Sequence, residues 1–342
     1  MTPHVRPFDG PPADWDAFAR SASGWTHVHL YGWRAVMERT LGHECVYLGA
    51  YGADGSLRGI LPLVRVRSRL FGHYLVSMPF LNYGGALGGD EAIGALTDAA
   101  VTRAEADGVT LLELRHRAAA PVRLPVSHRK VTVVLELPTG DIAPLWDGLP
   151  AKVRSQVRRP GKEGVEVRFG PDQLEPFYAV FAEHMRDLGT PVLGQPFFRG
   201  IRDTFPEDAW FGCAWLDGEP VAGGCGFQWG AEFEMTWASS LRRYNRVAPN
   251  MLLYWAFMER CVARGIAVFN FGRCTPDSGT HRFKRQWGSR DEPLHWYQRA
   301  AGDAGGTPSP DDAKFRLATR IWRRLPLAVA NRLGPPIVRL IP

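Results

Sequence analysis

Apolar positions change their period along this chain, and each change marks an element. From His29 to Thr40 they fall at Leu30, Trp33, Val36 and Met37, one face of a helix. Before it, Asp14 and Ser23 are candidate starts of short helical pieces. Cys45–Tyr51 and Leu57–Val66 read as strands joined by a turn at Asp54-Gly55, with a third strand over Phe71–Ser77. The spacing predicts a helix over Glu91–Asp107 and strands over Thr110–Leu114 and Lys130–Leu137.

The second half repeats the order. A short basic helix is expected from Leu149 to Pro160, then a strand over Val165–Phe169 and helices over Leu174–Leu188 and Phe197–Phe205. Strands at Ala209–Leu216, Val221–Trp229 and Glu232–Ala238 precede a long helix, Pro249–Gly265, and a strand, Val268–Phe271. Both halves thus run helix, three strands, loop, helix, strand, as a duplicated α/β unit would.

Length and charge narrow this reading a little. The 342 residues are enough for two domains, and 45% hydrophobic with 22% charged residues is a globular composition. A net charge of +6 suits an anionic substrate, a membrane surface or a tRNA. The five cysteines (Cys45, Cys213, Cys225, Cys261, Cys274) have no metal-ligand spacing and read as reduced and buried. No run of 18 apolar residues and no signal-peptide pattern occurs, so a cytoplasmic protein without a resident metal is expected. Hydrolase, zinc-protease and dinucleotide-binding motifs are missing.

Four stretches could carry chemistry. Asn82-Tyr83-Gly84-Gly85 is either a loop whose backbone approaches a ligand or a sharp turn held by Asn82. The basic run Lys152–Lys162, with Arg154 and Arg158, could pair with phosphates or be a solvated face. A helix beginning at Pro249-Asn250 aims its first N–H groups at the link before it, where Arg242, Arg243, Tyr244 and Asn245 could frame an anion. The fourth stretch, Asn270 to Gly288, places polar residues at the end of a strand, where α/β folds bind ligands. In it Arg273 and Lys284 could stabilise negative charge on an attacked carbonyl, His281 could move a proton, and Cys274 is an outside candidate for a nucleophile.

The tail differs from the rest. From Lys314 onward it carries seven positive residues and no acid, interleaved with leucine, isoleucine and tryptophan. It reads either as an interfacial helix on anionic lipid or as a helix docked on the body with a basic outer face.

Taken together, Asn82-Tyr-Gly-Gly, Leu149-Pro-Ala-Lys-Val-Arg-Ser-Gln-Val-Arg-Arg, Tyr244-Asn-Arg-Val-Ala-Pro-Asn, Phe269-Asn-Phe-Gly-Arg and Arg282-Phe-Lys-Arg-Gln-Trp-Gly resemble the FemAB-like proteins. More narrowly they resemble the subgroup associated with exosortase/PEP-CTERM systems, over about Trp33 to Gln298 and into the tail. The resemblance implies an α+β fold of two tandem acetyltransferase-like (GNAT) domains, each a mixed central sheet flanked by helices. The domains are drawn at 1–148 and 149–300, with a linker at 301–313 and a basic amphipathic tail at 314–342. It also implies transfer of an acyl or aminoacyl group to an amine of a cell-envelope or exopolysaccharide precursor. The donor would be acyl-CoA or aminoacyl-tRNA, with no tightly bound cofactor. The acceptor would be a small molecule or a lipid-linked saccharide, met at the inner membrane through 314–342.

Phe283-Lys284 matches the family's phenylalanine-lysine pair, which makes Lys284 the leading catalytic candidate, with His281, Arg273 and Glu234 beside it and Asp277 a further candidate base. Substrate contacts are expected from Asn82, Tyr83, Arg154, Arg158, Arg242, Arg243, Tyr244, Asn245, Asn250 and Asn270. The sequence departs from the family in lacking a long helical hairpin, and Arg242–Ala248 lacks the glycine of the acetyltransferase phosphate loop. A non-catalytic scaffold of the exosortase and export system is the competing reading.

Overall fold

The computed structural model describes residues 3–69, 71–301 and 313–342. The chain forms two compact units, one of residues 1–130, 293–315 and 336–342, the other of residues 131–292 and 316–335.

The first unit begins with β1 (His4–Pro7), α1 (Pro12–Ser21) and α2 (Gly32–Val36). The helix expected over His29–Thr40 is broken: His27–His29 is a 3₁₀ turn, and after α2 the chain widens into a π turn, Met37–Leu41, stopped by Gly42 in the left-handed region. Strands β2 (Glu44–Tyr51), β3 (Leu57–Ser68), β4 (Gly72–Ser77) and the short β5 (Leu87–Gly88) lead to α3 (Asp90–Ala106), β6 (Leu111–His116) and β7 (Val126–Ser127). α3 buries Ala92, Leu96, Ala100 and Ala104, and Gly59 of β3 lets that helix approach, since a Cβ there would sit 2.9 Å from Ala92.

In the second unit come β8 (Val131–Glu136), α4 (Ala143–Gly148), α5 (Ala151–Lys162), β9 (Glu166–Phe169), α6 (Leu174–Leu188) and α7 (Gln195–Thr204). The meander β10 (Ala209–Leu216), β11 (Glu219–Trp229), β12 (Glu232–Ser240) follows, then α8 (Pro249–Ala263), β13 (Val268–Cys274), α9 (Gly279–Arg285) and β14 (Arg290–Pro293). Trp210, Phe233 and Phe257 stack in sequence, at 4.7 and 5.5 Å between ring centroids, and tie α8 to one face of the sheet. β15 (His295–Ala300), α10 (Ala313–Trp322) and α11 (Leu327–Val338) complete the chain. The linker expected at 301–313 lies almost entirely outside the described residues.

Each unit holds a mixed sheet. The orders are β1-β2-β3-β4-β6-β15-β7, with β5 on β3, and β14-β8-β13-β12-β11-β10-β9. The expected repeat is present: in each unit three antiparallel strands are followed by a helix and a parallel strand. The parallel contact is short in both. Tyr74–Val76 pairs with Leu111–Glu113 in one unit and Glu232–Glu234 with Val268–Asn270 in the other.

The units divide at other places than those drawn from the sequence. Val131–Glu136 precedes the sequence boundary at 148 yet pairs antiparallel with β13, so it belongs to the second sheet. His295–Ala300 follows the second sheet in the chain, but pairs with β6 over six residues and joins the first. A hydrophobic period identifies a strand; it does not say which sheet supplies the partner.

Candidate functional site

The second unit's parallel strands part just where its polar residues collect. Beyond the pair Glu234–Asn270, β12 runs on to Ser240 and β13 to Cys274 without further parallel pairing between them. A bulge lies beside each strand's last paired residue. On β12 the register with β11 slips between Glu234 and Trp237, opposite Gly226, whose missing Cβ would otherwise stand 2.2 Å from the Glu234 carbonyl oxygen. On β13 the register with β8 slips between Asn270 and Arg273, and Gly272 takes φ +72° there.

Asn270 holds this point together. It is fully buried, and its Oδ1 accepts from Thr132 Oγ1 at 2.6 Å and from the Gly272 N–H at 2.8 Å. Its Nδ2 donates to Glu232 Oε1 at 2.7 Å, so one amide joins β8, β12 and the β13 bulge. The bulge presents two adjacent carbonyls to Lys284, whose Nζ donates to Gly272 O at 2.7 Å and to Arg273 O at 3.0 Å.

Lys284 is brought there by α9. Ser278 caps that helix by accepting the His281 N–H at 3.1 Å, and Phe283 packs against Tyr254 of α8 at 5.0 Å between centroids. The Lys284 side chain is only 4% exposed. Burial pulls its ammonium down to about 8 from the usual lysine range, while the charge of Glu234 acts the other way. Two of the three ammonium donors are held by the bulge. Glu234 is itself buried and accepts from Thr236 Oγ1 at 2.9 Å. A cation fixed by main-chain carbonyls at a strand parting is suited to meeting negative charge as it develops on a carbonyl oxygen.

The sequence candidates fall into three groups. Lys284, Glu234, Asn270 and the main chain of Arg273 gather at the parting, where Asn270 organises the backbone rather than facing outward. His281 has another occupation than the proton carrier expected: its Nδ1 accepts the Asp277 N–H at 3.0 Å and its Nε2 lies 2.9 Å from Asp291 Oδ2, so both ring nitrogens serve to fix the turn into α9. Cys274 is buried.

The second group surrounds the link into α8. Arg243 forms ion pairs with Glu183 at 2.6 Å and with Glu219, and Tyr244 donates to Glu219 at 2.6 Å. These bonds pin the 3₁₀ turn Arg242–Tyr244, and the Tyr244 carbonyl then accepts the N–H groups of Val247 and Ala248. Ala248 is left-handed at φ +60°, in front of Pro249. Arg242 and Asn245 are exposed and Asn250 half-buried at the second position of α8. The link is therefore closed on itself, with two amides already engaged. Next to it, the outer face of α5 forms a depression of about 340 Å³ lined by Ala151, Arg154, Ser155, Arg158, Arg159, Lys162 and one acid, Glu163. Arg159 donates to the Arg246 carbonyl of the link, and Arg158 lies over Trp146 at 4.8 Å. This basic face stands in the second unit.

The third group, Asn82 and Tyr83, lies in the first unit, where the corresponding strand parting is occupied by the unit's own chain. Gly84 N–H donates to Arg115 O at 2.9 Å, Arg115 Nη1 donates to Leu81 O, and Tyr83 is 1% exposed. Residues that sequence reading missed are Thr132, Glu232, Thr236 and the bulge glycines Gly226 and Gly272. A glycine within a strand is a signal for a bulge and was available at 226, inside the strand expected over Val221–Trp229; Gly272 lay beyond the strand expected to end at Phe271, and Thr132 lies 138 positions from Asn270 and gave none.

Comparison with known proteins bears on the fold. Residues 151–285, from the start of α5 to the end of α9, match the family model described as an acetyltransferase (GNAT) domain. No curated protein matches the chain. Among solved structures, FemX is similar with a TM-score of 0.63 at 16% identity, covering 85% of this chain and 97% of that one. L-PGS from Bacillus licheniformis gives 0.55 at 13% identity over 92% of this chain and 98% of its own. A tandem GNAT protein from the clavulanic acid biosynthesis pathway gives 0.53 at 15% over 88% and 99%. The fold is a tandem GNAT fold.

Proposed function

We propose that the second unit is an acyl-transfer centre. It would move an acyl or aminoacyl group from a thioester or ester donor to an amine of a cell-envelope or exopolysaccharide precursor. The observation that carries this is the buried Lys284 ammonium, held by the Gly272 and Arg273 carbonyls at the parting of β12 and β13. In the reaction the acceptor amine attacks the donor carbonyl carbon. A C–N bond forms, the C–S or C–O bond breaks, and the proton lost by the amine leaves with the thiol or hydroxyl. Lys284 donates its remaining N–H to the tetrahedral oxyanion, and Glu234, whose charge acts on Lys284, is the candidate to relay the proton.

Two features bear on the donor. The Val247 and Ala248 amides are engaged by Tyr244 O, which speaks against a pyrophosphate cradled by that loop as a CoA thioester would need. The basic face of α5 beside the link favours a ligand with several phosphates, such as the tRNA of an aminoacyl ester or a lipid-linked pyrophosphate. The cell-envelope and exopolysaccharide setting rests on sequence resemblance.

The test is titration of the full chain with acyl-CoA and with aminoacyl-tRNA, followed by single-turnover loss of the bound acyl group on adding amine acceptors. Saturable binding of one donor and turnover lost in Lys284→Met support the proposal. A well-folded protein that binds neither donor would replace it with the scaffold reading.

A further inference from the structure

Six large apolar side chains are exposed among the described residues: Val126, Leu188, Leu317, Ile321, Val329 and Leu333. Isolated cases are ordinary on a protein surface; these are not isolated. Five belong to the second unit, and four of those stand on α10 and α11.

The two helices are docked by their other sides. Gly189, at the end of α6, leaves room for Thr319, since a Cβ there would meet Thr319 Cγ2 at 2.4 Å. Arg323 donates to Leu188 O at 3.2 Å, and Arg186 donates to Leu325 O at 3.2 Å. In α11 the packed positions are Ala330 and Gly334, the latter against Val192. Leu317 and Ile321 lie two residues to either side of Thr319, about 200° around the helix, and so face away from that contact. Val329 and Leu333 each precede a packed position by one residue, about 100° off it. Arg320, Arg324 and Arg332 are exposed among them. No acid occurs from Lys314 to the end of the chain.

This surface combines a fixed base, projecting aliphatic side chains and charge of one sign. A second copy of the chain would bring the same positive charge against itself, which disfavours that occupant. Neither helix is long enough to cross a membrane. We propose that α10 and α11 dock the protein on an anionic phospholipid surface. Leu317, Ile321, Val329 and Leu333 enter the headgroup–acyl boundary while the arginines meet lipid phosphates. The inference rests on the tail alone and is independent of the acyl-transfer reading.

The experiment is co-sedimentation of the full chain with vesicles of phosphatidylcholine and with vesicles carrying about one-third phosphatidylglycerol. Binding is expected to the anionic vesicles and to weaken about tenfold as salt rises from about 0.1 to about 0.5 M. Leu317→Asp with Ile321→Asp should abolish it while the thermal melt stays in place. Should that pair disturb folding, Arg320→Gln with Arg324→Gln tests the same surface and should weaken binding. No sedimentation with anionic vesicles, or equal binding to both lipids unaffected by either pair, overturns the proposal. So does a concentration-dependent dimer, broken by Leu317→Asp, in protein that ignores lipid.

Discussion

Asn270 Oδ1 accepts the Gly272 N–H at 2.8 Å, and this bond across one residue shapes the β13 bulge that receives Lys284. The same oxygen accepts from Thr132, and the amide nitrogen reaches Glu232. Asn270→Ala leaves three buried or half-buried groups without that partner. Chemical denaturation should show a loss of roughly 3 kcal/mol. Asn270→Asp keeps both acceptor bonds but sets a buried carboxylate oxygen against Glu232 Oε1, and should lose at least as much. Equal stability of Asn270→Ala and wild type would mean that the bulge is held by other contacts.

Lys284 makes a prediction with a definite sign. Its ammonium titrates near 8 when folded and in the ordinary lysine range, about 10.4, when unfolded. Between those values the unfolded chain binds more protons, so this group makes folding more favourable as pH rises from about 8 to about 10.4. Below pH 8 the buried cation opposes folding in full. Comparing unfolding of wild type and Lys284→Met at pH 7 and pH 10 isolates it: the wild type should gain relative to the variant at the higher pH. If Lys284 acts as a cation, donor turnover should fall as pH passes 8, opposite to the stability trend. A rate rising through pH 8 would assign Lys284 as a base instead.

Much of this architecture was legible. The meander from Ala209 to Ser240 and the long helix at Pro249 announce themselves by period and by turn residues, and the Phe283-Lys284 pair by resemblance. The helix α9 was not, because Gly279 to Arg285 is polar apart from Phe283 and reads as loop until Tyr254 packs upon it. The sheet membership of β8 and β15 was hidden for a different reason: alternation fixes a strand's faces, while its partner is decided by contacts over 100 residues away. His281 illustrates the limit at the site, since a histidine's chemistry depends on what its two nitrogens touch, here the Asp277 N–H and Asp291.

Two glycines should respond in opposite directions to the same substitution. Gly226→Ala forces a Cβ to within 2.2 Å of the Glu234 carbonyl oxygen, which is backbone and cannot step aside. A loss of about 3 kcal/mol or more is expected, with reduced turnover because the β12 bulge beside Glu234 must shift. Gly94→Ala lies inside α3 with open space around the new methyl, and should stabilise by up to about 1 kcal/mol. Thermal melts of the two variants side by side provide the check; a neutral Gly226→Ala would show that the strand pair accommodates a methyl.

The cysteines decide between direct and covalent transfer. All five are buried, and burial pushes the thiols of Cys45, Cys213, Cys225 and Cys261 upward, away from the reactive thiolate. Cys274 sits at the end of β13, close to Lys284, yet is only 7% exposed. Native protein treated with iodoacetamide should remain unlabelled at every site, and denatured protein should take five labels. Direct attack by the amine also requires both substrates bound at once, so initial-rate lines at varied donor and acceptor should intersect. Rapid labelling of Cys274 alone, with parallel lines, would instead place the acyl group on that sulfur between two half-reactions.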